Sequence, residues 1–271
     1  MALGFTVEDL VPAGRGAGAL RMGLARVHAD EWLWPGADLA ARAAVFDAHP
    51  EAIAVLPGAE PAAAEAAQLV AGRPTLPEAA RAVWEDLCVM QADADGAYRL
   101  TAGALGFPTD WSLAEKLGLP MLAIHAPIHG YAEQLAAGVD HFLAQLTPGP
   151  IFARANWFVV ANDHPRYMPQ DDPAQRFAHV TPENAGDTLF IRCERQTLRR
   201  LPQSQAILFT IGIAVQPLGT LSMGAIARIA ANVSGLASAP NPGEFERRAA
   251  PHYAAPLATW AARRQTMENA A

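Results

Sequence analysis

Side chains able to do chemistry gather at two places in this chain. The first is Ile124-His125-Ala126-Pro127-Ile128-His129, an imidazole in an apolar setting with a second one four residues on, across a proline. Neutral imidazole is a common metal ligand; the alternative for His125 is a core histidine bonded to backbone. His129 is either the rival ligand or a pocket-edge residue. His141 sits at helical spacing in a covered helix and reads as structural, and the remaining histidines belong to no constellation. The second place is Arg192-Cys193-Glu194-Arg195-Gln196-Thr197-Leu198-Arg199-Arg200, the densest basic group in the chain. Guanidinium offers carboxylates a planar, two-pronged donor set. Glu194 is placed either to pair with these arginines or to meet a cationic ligand. In a helix, Arg195 and Arg199 would stand one turn apart, with Leu198 and Leu201 on another face. A plain solvated face is the alternative for the whole run.

Composition narrows the field. The chain has 271 residues, 51% hydrophobic and 17% charged, which predicts a folded core. Its net charge is −7, against the basic footprint of a nucleic-acid binder. No apolar run has the length of a membrane span and the first residues lack the basic start of a secretory signal, so a cytoplasmic protein is expected. Cys88 and Cys193 are far apart, with no Cys-x-x-Cys, which predicts reduced thiols and no zinc or iron–sulfur site on this chain.

The elements that must position these residues follow from pattern and punctuation. Gly14-Arg15-Gly16-Ala17-Gly18 lacks a preceding strand and reads as a glycine-rich lead-in rather than a phosphate loop. Helices are predicted over 38–48, 61–71 and 77–87, giving a helical N-terminal third. Two short strands, 88–91 and 99–107, flank the turn Asp93-Ala94-Asp95-Gly96. A short helix capped by Ser112 ends at Gly118, and a longer one runs from Tyr131 to Leu146. Strands are predicted over 155–160, 188–193 and 206–215, with a short helix over 194–201. Helices from about Ser222 and near Leu257 close the chain. This order predicts α+β rather than an alternating parallel sheet. The expected division is an N-terminal arm and helical region over 1–87, a core over 88–220 and a helical tail over 221–271, forming one compact unit.

Two segments carry a resemblance. One is Leu100-Thr101-Ala102-Gly103-Ala104-Leu105-Gly106-Phe107-Pro108-Thr109-Asp110-Trp111, continued by Lys116-Leu117-Gly118 and Ile124-His125-Ala126-Pro127-Ile128; the other runs from Arg192 to Pro202. Together they resemble the alpha-subunit family of haem-dependent oxidative N-demethylases. Met22-Gly23-Leu24 and Glu31-Trp32-Leu33 resemble that family's N-terminal pattern, and Arg154-Ala155-Asn156-Trp157 its central one.

The resemblance implies a PAS-like antiparallel sheet with a helical N-terminal region and C-terminal helices, and a pocket for haem b. It implies oxidative removal of a methyl group from a small secondary amine such as dimethylamine, with release of formaldehyde. Electrons would come from NADPH through a separate reductase carrying FMN and a 2Fe-2S cluster, and a homo-oligomer is left open. His125 becomes the expected iron ligand, with His129 as its rival. Arg154, Asn156, Arg192, Arg195 and Arg199 become candidates for the haem or its propionates. Tyr131 and Glu194 become candidates at the reacting centre, while Trp111 and Trp157 read as core. The chain departs from the family pattern at His129, where a second proline is expected, and at Gly212-Ile213, where a polar or basic residue is expected. A haem-binding PAS sensor without turnover is the alternative, and a structural subunit without cofactor is a third reading.

Overall fold

A computed structural model describes residues 6–11, 20–34, 38–238 and 243–269. Its centre is a seven-stranded sheet: β1 (Ala25–Val27), β2 (Ile53–Val55), β3 (Asp86–Ala92), β4 (Tyr98–Ala104), β5 (Ile151–Val160), β6 (Phe190–Arg200) and β7 (Ile207–Pro217). All pairs are antiparallel, in the order β1-β5-β6-β7-β3-β4-β2. A hairpin, a helical connection and a three-stranded return, whose last strand lies beside the first of the hairpin, make the PAS-like α+β core.

Asp38 caps the helix Leu39–Ala48, its carboxylate accepting from the amides of Ala40 and Ala41. The helices Glu60–Ala71 and Leu76–Ala82 follow, the first closed by Gly72 in the left-handed region. The third helix stops earlier than its sequence suggests, because Asp86 and Leu87 already pair with β7. The Gly14–Gly18 lead-in lies outside the described residues.

The main correction concerns 194–201. It is not a helix: residues 194–200 are the second half of β6, paired with β5 as far as Leu198 and with β7 as far as Arg200, and Leu201 follows it. A strand flanked on both sides gains two ladders of backbone hydrogen bonds, and that outweighs the helical propensity of Glu, Arg, Gln and Leu. The long helix predicted from Tyr131 opens instead as a π-helical turn, Ala132–Ala136, before the α-helix Ala137–Gln145. The short strands β1 and β2 add an edge on each side of the five-stranded core.

Both faces of the sheet are covered. On one, Leu198, Ile207, Cys88 and Leu100 pack against Leu113, Met121, Ile124, Phe142 and Leu143 of the helical connection. On the other, the N-terminal helices cover β3 and β4, while the helices Met223–Leu236 and Ala254–Asn269 cover β6 and β7. Arg200 fastens the connection, donating to the carbonyls of Leu143 and Leu146 at the end of Ala137–Gln145 and to the Tyr98 hydroxyl. Cys88 and Cys193 are free, buried thiols, and burial pushes both up from their ordinary pKa.

Candidate functional site

His125 is placed by a turn laced to β4. The Gly118 amide donates to the Leu100 carbonyl at 2.7 Å, and the Leu100 amide donates to Leu119 at 3.2 Å. Pro120 then starts the one-turn helix Met121–Ile124, with Met121 and Ile124 packed into the core beneath. His125 closes that turn. Its Nδ1 lies 2.9 Å from the Met121 carbonyl, so Nδ1 is the protonated nitrogen and Nε2 keeps the lone pair. The backbone-bonded histidine weighed against the ligand reading therefore does not exclude it, because the backbone bond leaves Nε2 available.

Tyr131 stacks on the imidazole, ring centroids 4.4 Å apart and planes 10° from parallel. It is 4% exposed, and its hydroxyl is buried with no hydrogen-bond partner. Burial, with Asp140 nearby, pushes its pKa up to about 12, so the phenol stays protonated. Burial also holds His125 below the ordinary histidine pKa, and Arg154 and Lys116 act in the same direction. A neutral imidazole beside cations and an unpaired phenol O–H makes a place for a ligand atom that takes a lone pair, next to negative charge.

Strand parity decides which other candidates lie on the sheet face towards His125. Phe152 meets Phe142 of the helical connection edge-on at 5.2 Å, so its face of β5 is the one towards His125. Arg154, Asn156 and Phe158 follow on that face, all half-buried. Across the ladder Asn156 stands opposite Glu194, Arg154 opposite Gln196 and Phe158 opposite Arg192. Glu194 is 8% exposed; its Oε1 accepts from the Thr109 hydroxyl at 2.5 Å and its Oε2 from the Gln196 amide at 2.9 Å. It meets Arg192 through Thr109, not as a direct ion pair. Gln196 and Thr109 were not singled out by sequence; the parity of β6 and the Gly106-Phe107-Pro108-Thr109 turn beyond β4 are what bring them here.

Arg192 lies on this face but has nothing left to give a ligand. It is 0% exposed, and its five N–H groups go to Thr109 Oγ1 and to the carbonyls of Phe107, Pro108, His164 and Pro165. Arg195 and Arg199 lie on the opposite face. Arg195 donates to the carbonyls of Trp32 and Glu31, and Arg199 lies over the Trp32 ring at 4.3 Å. The sheet separates these two from His125, and their helical pairing in sequence becomes a shared strand face that clamps the N-terminal segment.

His129 and Gly212 both lie in close packing contacts. The His129 ring lies against Gly243, where an added Cβ would fall 2.3 Å from Nε2. Gly212 lies opposite Arg195, on the face away from His125, and the Trp34 ring lies so close that a Cβ would stand 3.1 Å from it. Trp111 packs into the core on the His125 side and Trp157 into the core on the other. Two surface clefts, of about 310 and 260 Å3, lie at the sheet edges, beside Arg26–Ile151 and beside Leu56–Arg99. Neither includes His125. Among the described residues no three metal-ligating side chains converge, and no helix is long and apolar enough to cross a membrane.

Among known protein families, the model for haem-dependent oxidative N-demethylase, alpha subunit-like proteins matches residues 72–239. That span includes His125, Tyr131, Arg154, Asn156, Arg192, Glu194 and Thr109.

Proposed function

The chain belongs to the haem-dependent oxidative N-demethylase, alpha subunit-like family, and from that premise we propose that it holds haem b at His125 and demethylates a small secondary amine of the dimethylamine type, releasing formaldehyde. The observation that carries this reading is the state of His125: Nδ1 spent on the Met121 carbonyl, Nε2 with a free lone pair, and the ring held neutral by burial. An outer hydrogen bond from the second ring nitrogen is how ligating histidines are commonly fixed. The donor set therefore fits a residue that would hold the haem iron, and the buried Tyr131 hydroxyl without a partner is a polar atom that a bound group would satisfy.

When bound, haem supplies the oxidising chemistry at the N-methyl carbon, drawing on dioxygen and on electrons from a partner NADPH-dependent reductase bearing FMN and a 2Fe-2S cluster. The chain's own groups hold and orient. His125 would ligate through Nε2, and the stacked Tyr131 ring fixes the plane of the imidazole. Arg154 is the cation on this face suited to a propionate. Glu194 keeps acceptor capacity beyond the bonds from Thr109 and Gln196, and would take an N–H of the substrate ammonium. Asn156, directly opposite Glu194, borders the same spot. Arg192, Arg195 and Arg199 act in holding the fold. The description of the family as an alpha subunit supports a partner protein.

The test has two links. Protein purified with added haem should show a Soret band that His125→Ala strips or shifts; a colourless protein overturns the scheme at its first link. With a reductase, NADPH and dimethylamine, formaldehyde should then accumulate. A Soret band without turnover would favour the non-catalytic haem-binding alternative.

A further inference from the structure

We propose that Thr109 is a positioning residue for Glu194, its hydroxyl locked by Arg192 into one orientation so that the carboxylate faces the amine. This rests on the reading of Glu194 as the group that meets the substrate ammonium.

The argument begins with hydrogen count. A guanidinium donates and cannot accept. The Arg192 Nε–H points at Thr109 Oγ1 from 2.7 Å, so the hydroxyl must accept there. Its single hydrogen is then free for Glu194 Oε1, 2.5 Å away. A hydroxyl that ordinarily rotates among partners has here only one way to point. Arg192 cannot turn aside either, because its other four N–H groups are held by the carbonyls of Phe107, Pro108, His164 and Pro165.

The backbone around Thr109 is fixed to match. The Tyr167 amide donates to the Pro108 carbonyl at 3.1 Å, and the Asp110 amide donates to Tyr167 at 2.8 Å. Asp110 is held at φ 56°, the left-handed region that a residue with a side chain adopts at a cost. One turn-length earlier, the Asp86 carboxylate accepts from the amides of Gly106 and Phe107. Thr109 thus sits in a segment tied down on both sides.

The arrangement has a consequence for recognition. Placed directly against Glu194, Arg192 would form a contact ion pair and fill the carboxylate's lone pairs. Held one hydroxyl away, with its charge shared among four carbonyls, it orients Glu194 without occupying it. Gln196 steadies the other oxygen from its own strand. A carboxylate so held presents open acceptor sites to a protonated amine that still carries an N–H.

The experiment measures dimethylammonium binding by calorimetry, per molecule of folded haem-loaded protein, together with KM and kcat, in Thr109→Val, Thr109→Ala, Thr109→Ser and Glu194→Gln. A hydrogen bond to a charged group typically accounts for about tenfold or more in affinity. Thr109→Val and Thr109→Ala should each weaken binding about tenfold and raise KM more than they lower kcat, and Thr109→Ser should restore both. Should the valine variant fail to fold, the alanine variant, which introduces no new bulk, carries the same comparison. If Glu194→Gln abolishes binding while both threonine variants bind as the wild type does, the role given to Thr109 is overturned and that of Glu194 stands. If Glu194→Gln binds dimethylammonium unchanged, the reading of Glu194 falls and the proposal falls with it. Loss of thermal stability in the threonine variants at unchanged affinity marks a purely structural residue and likewise overturns it.

Discussion

An imidazole stacked on a phenol, with Nδ1–H spent one turn back, can offer a single lone pair, and whether it does depends on protonation. Burial is the largest cause holding His125 below the ordinary value of 6.5; Arg154 and Lys116 add to it and the bond to Met121 opposes it. The ring therefore stays neutral, and able to ligate, at pH values where an exposed histidine is already charged. Lowering the pH of haem-loaded protein should leave the Soret band intact through the ordinary histidine range, with release only below it; release centred at or above that range would contradict the burial argument. The same shift has a sign for stability. The unfolded chain takes up this proton first as pH falls, so the contribution of His125 to the haem-free fold is present above the ordinary value and is lost as pH drops below it and on through the lower folded value. Tyr131 gives a companion prediction. Its buried hydroxyl has no partner, so Tyr131→Phe should leave the melting temperature of the haem-free protein unchanged or raise it, by about 1 kcal/mol in stability. A clear loss of stability would mean that the hydroxyl is already satisfied without a ligand.

At the level of elements, β6 carries the lesson about sequence and structure. The run holding its arginines at 195, 199 and 200 reads in sequence as a short helix with a solvated face as one alternative, yet Arg192, Arg195 and Arg200 are buried, and alternate residues serve opposite layers. A strand covered on both faces loses the apolar–polar alternation that would reveal it, and each buried arginine finds its acceptors in distant loops that no local pattern shows. The His125 turn was legible because apolar residues and prolines frame a single imidazole. The hairpin β3–β4 and the Ser112 capping box were legible because turn and cap chemistry are local. Strands β1 and β2, three residues each, are too short to show a period. Gly212 shows the same limit at one position: its meaning lies in the Trp34 ring from a segment far away in sequence. Gly212→Ala should force that ring aside and cost about 1–3 kcal/mol in denaturant unfolding. The Soret band and amine affinity should not change, since Gly212 faces away from His125. A spectral change with unchanged stability would place Gly212 at the haem after all.

Across the whole molecule, the face of the sheet away from His125 carries two adjoining cores, one including Trp34 and the other Trp32, and the N-terminal segment is held where they meet. Arg195 reaches from β6 to the carbonyls of Glu31 and Trp32, while Glu85, just before β3, accepts the Trp34 amide at 2.7 Å. Glu85 is 2% exposed and its second oxygen is buried without a partner. Burial raises its pKa to about 7, against the opposing bond from Trp34 and the charges of Arg42 and Arg195. A carboxyl whose folded pKa is raised is held protonated by the fold, so its stabilising contribution is full below the unfolded value of 4.5 and is lost as pH rises to about 7. Glu85→Gln keeps the carbonyl oxygen that Trp34 needs and has no charge to bury. The variant should therefore unfold like the wild type at acid pH, pull ahead of it as pH rises from 4.5 to about 7, and stay ahead above that by about 3 kcal/mol. Denaturant unfolding at acid, neutral and alkaline pH reads this directly. Wild type and variant running parallel through the whole range would mean that Glu85 ionises freely where it sits, and that the junction of the two cores reaches water.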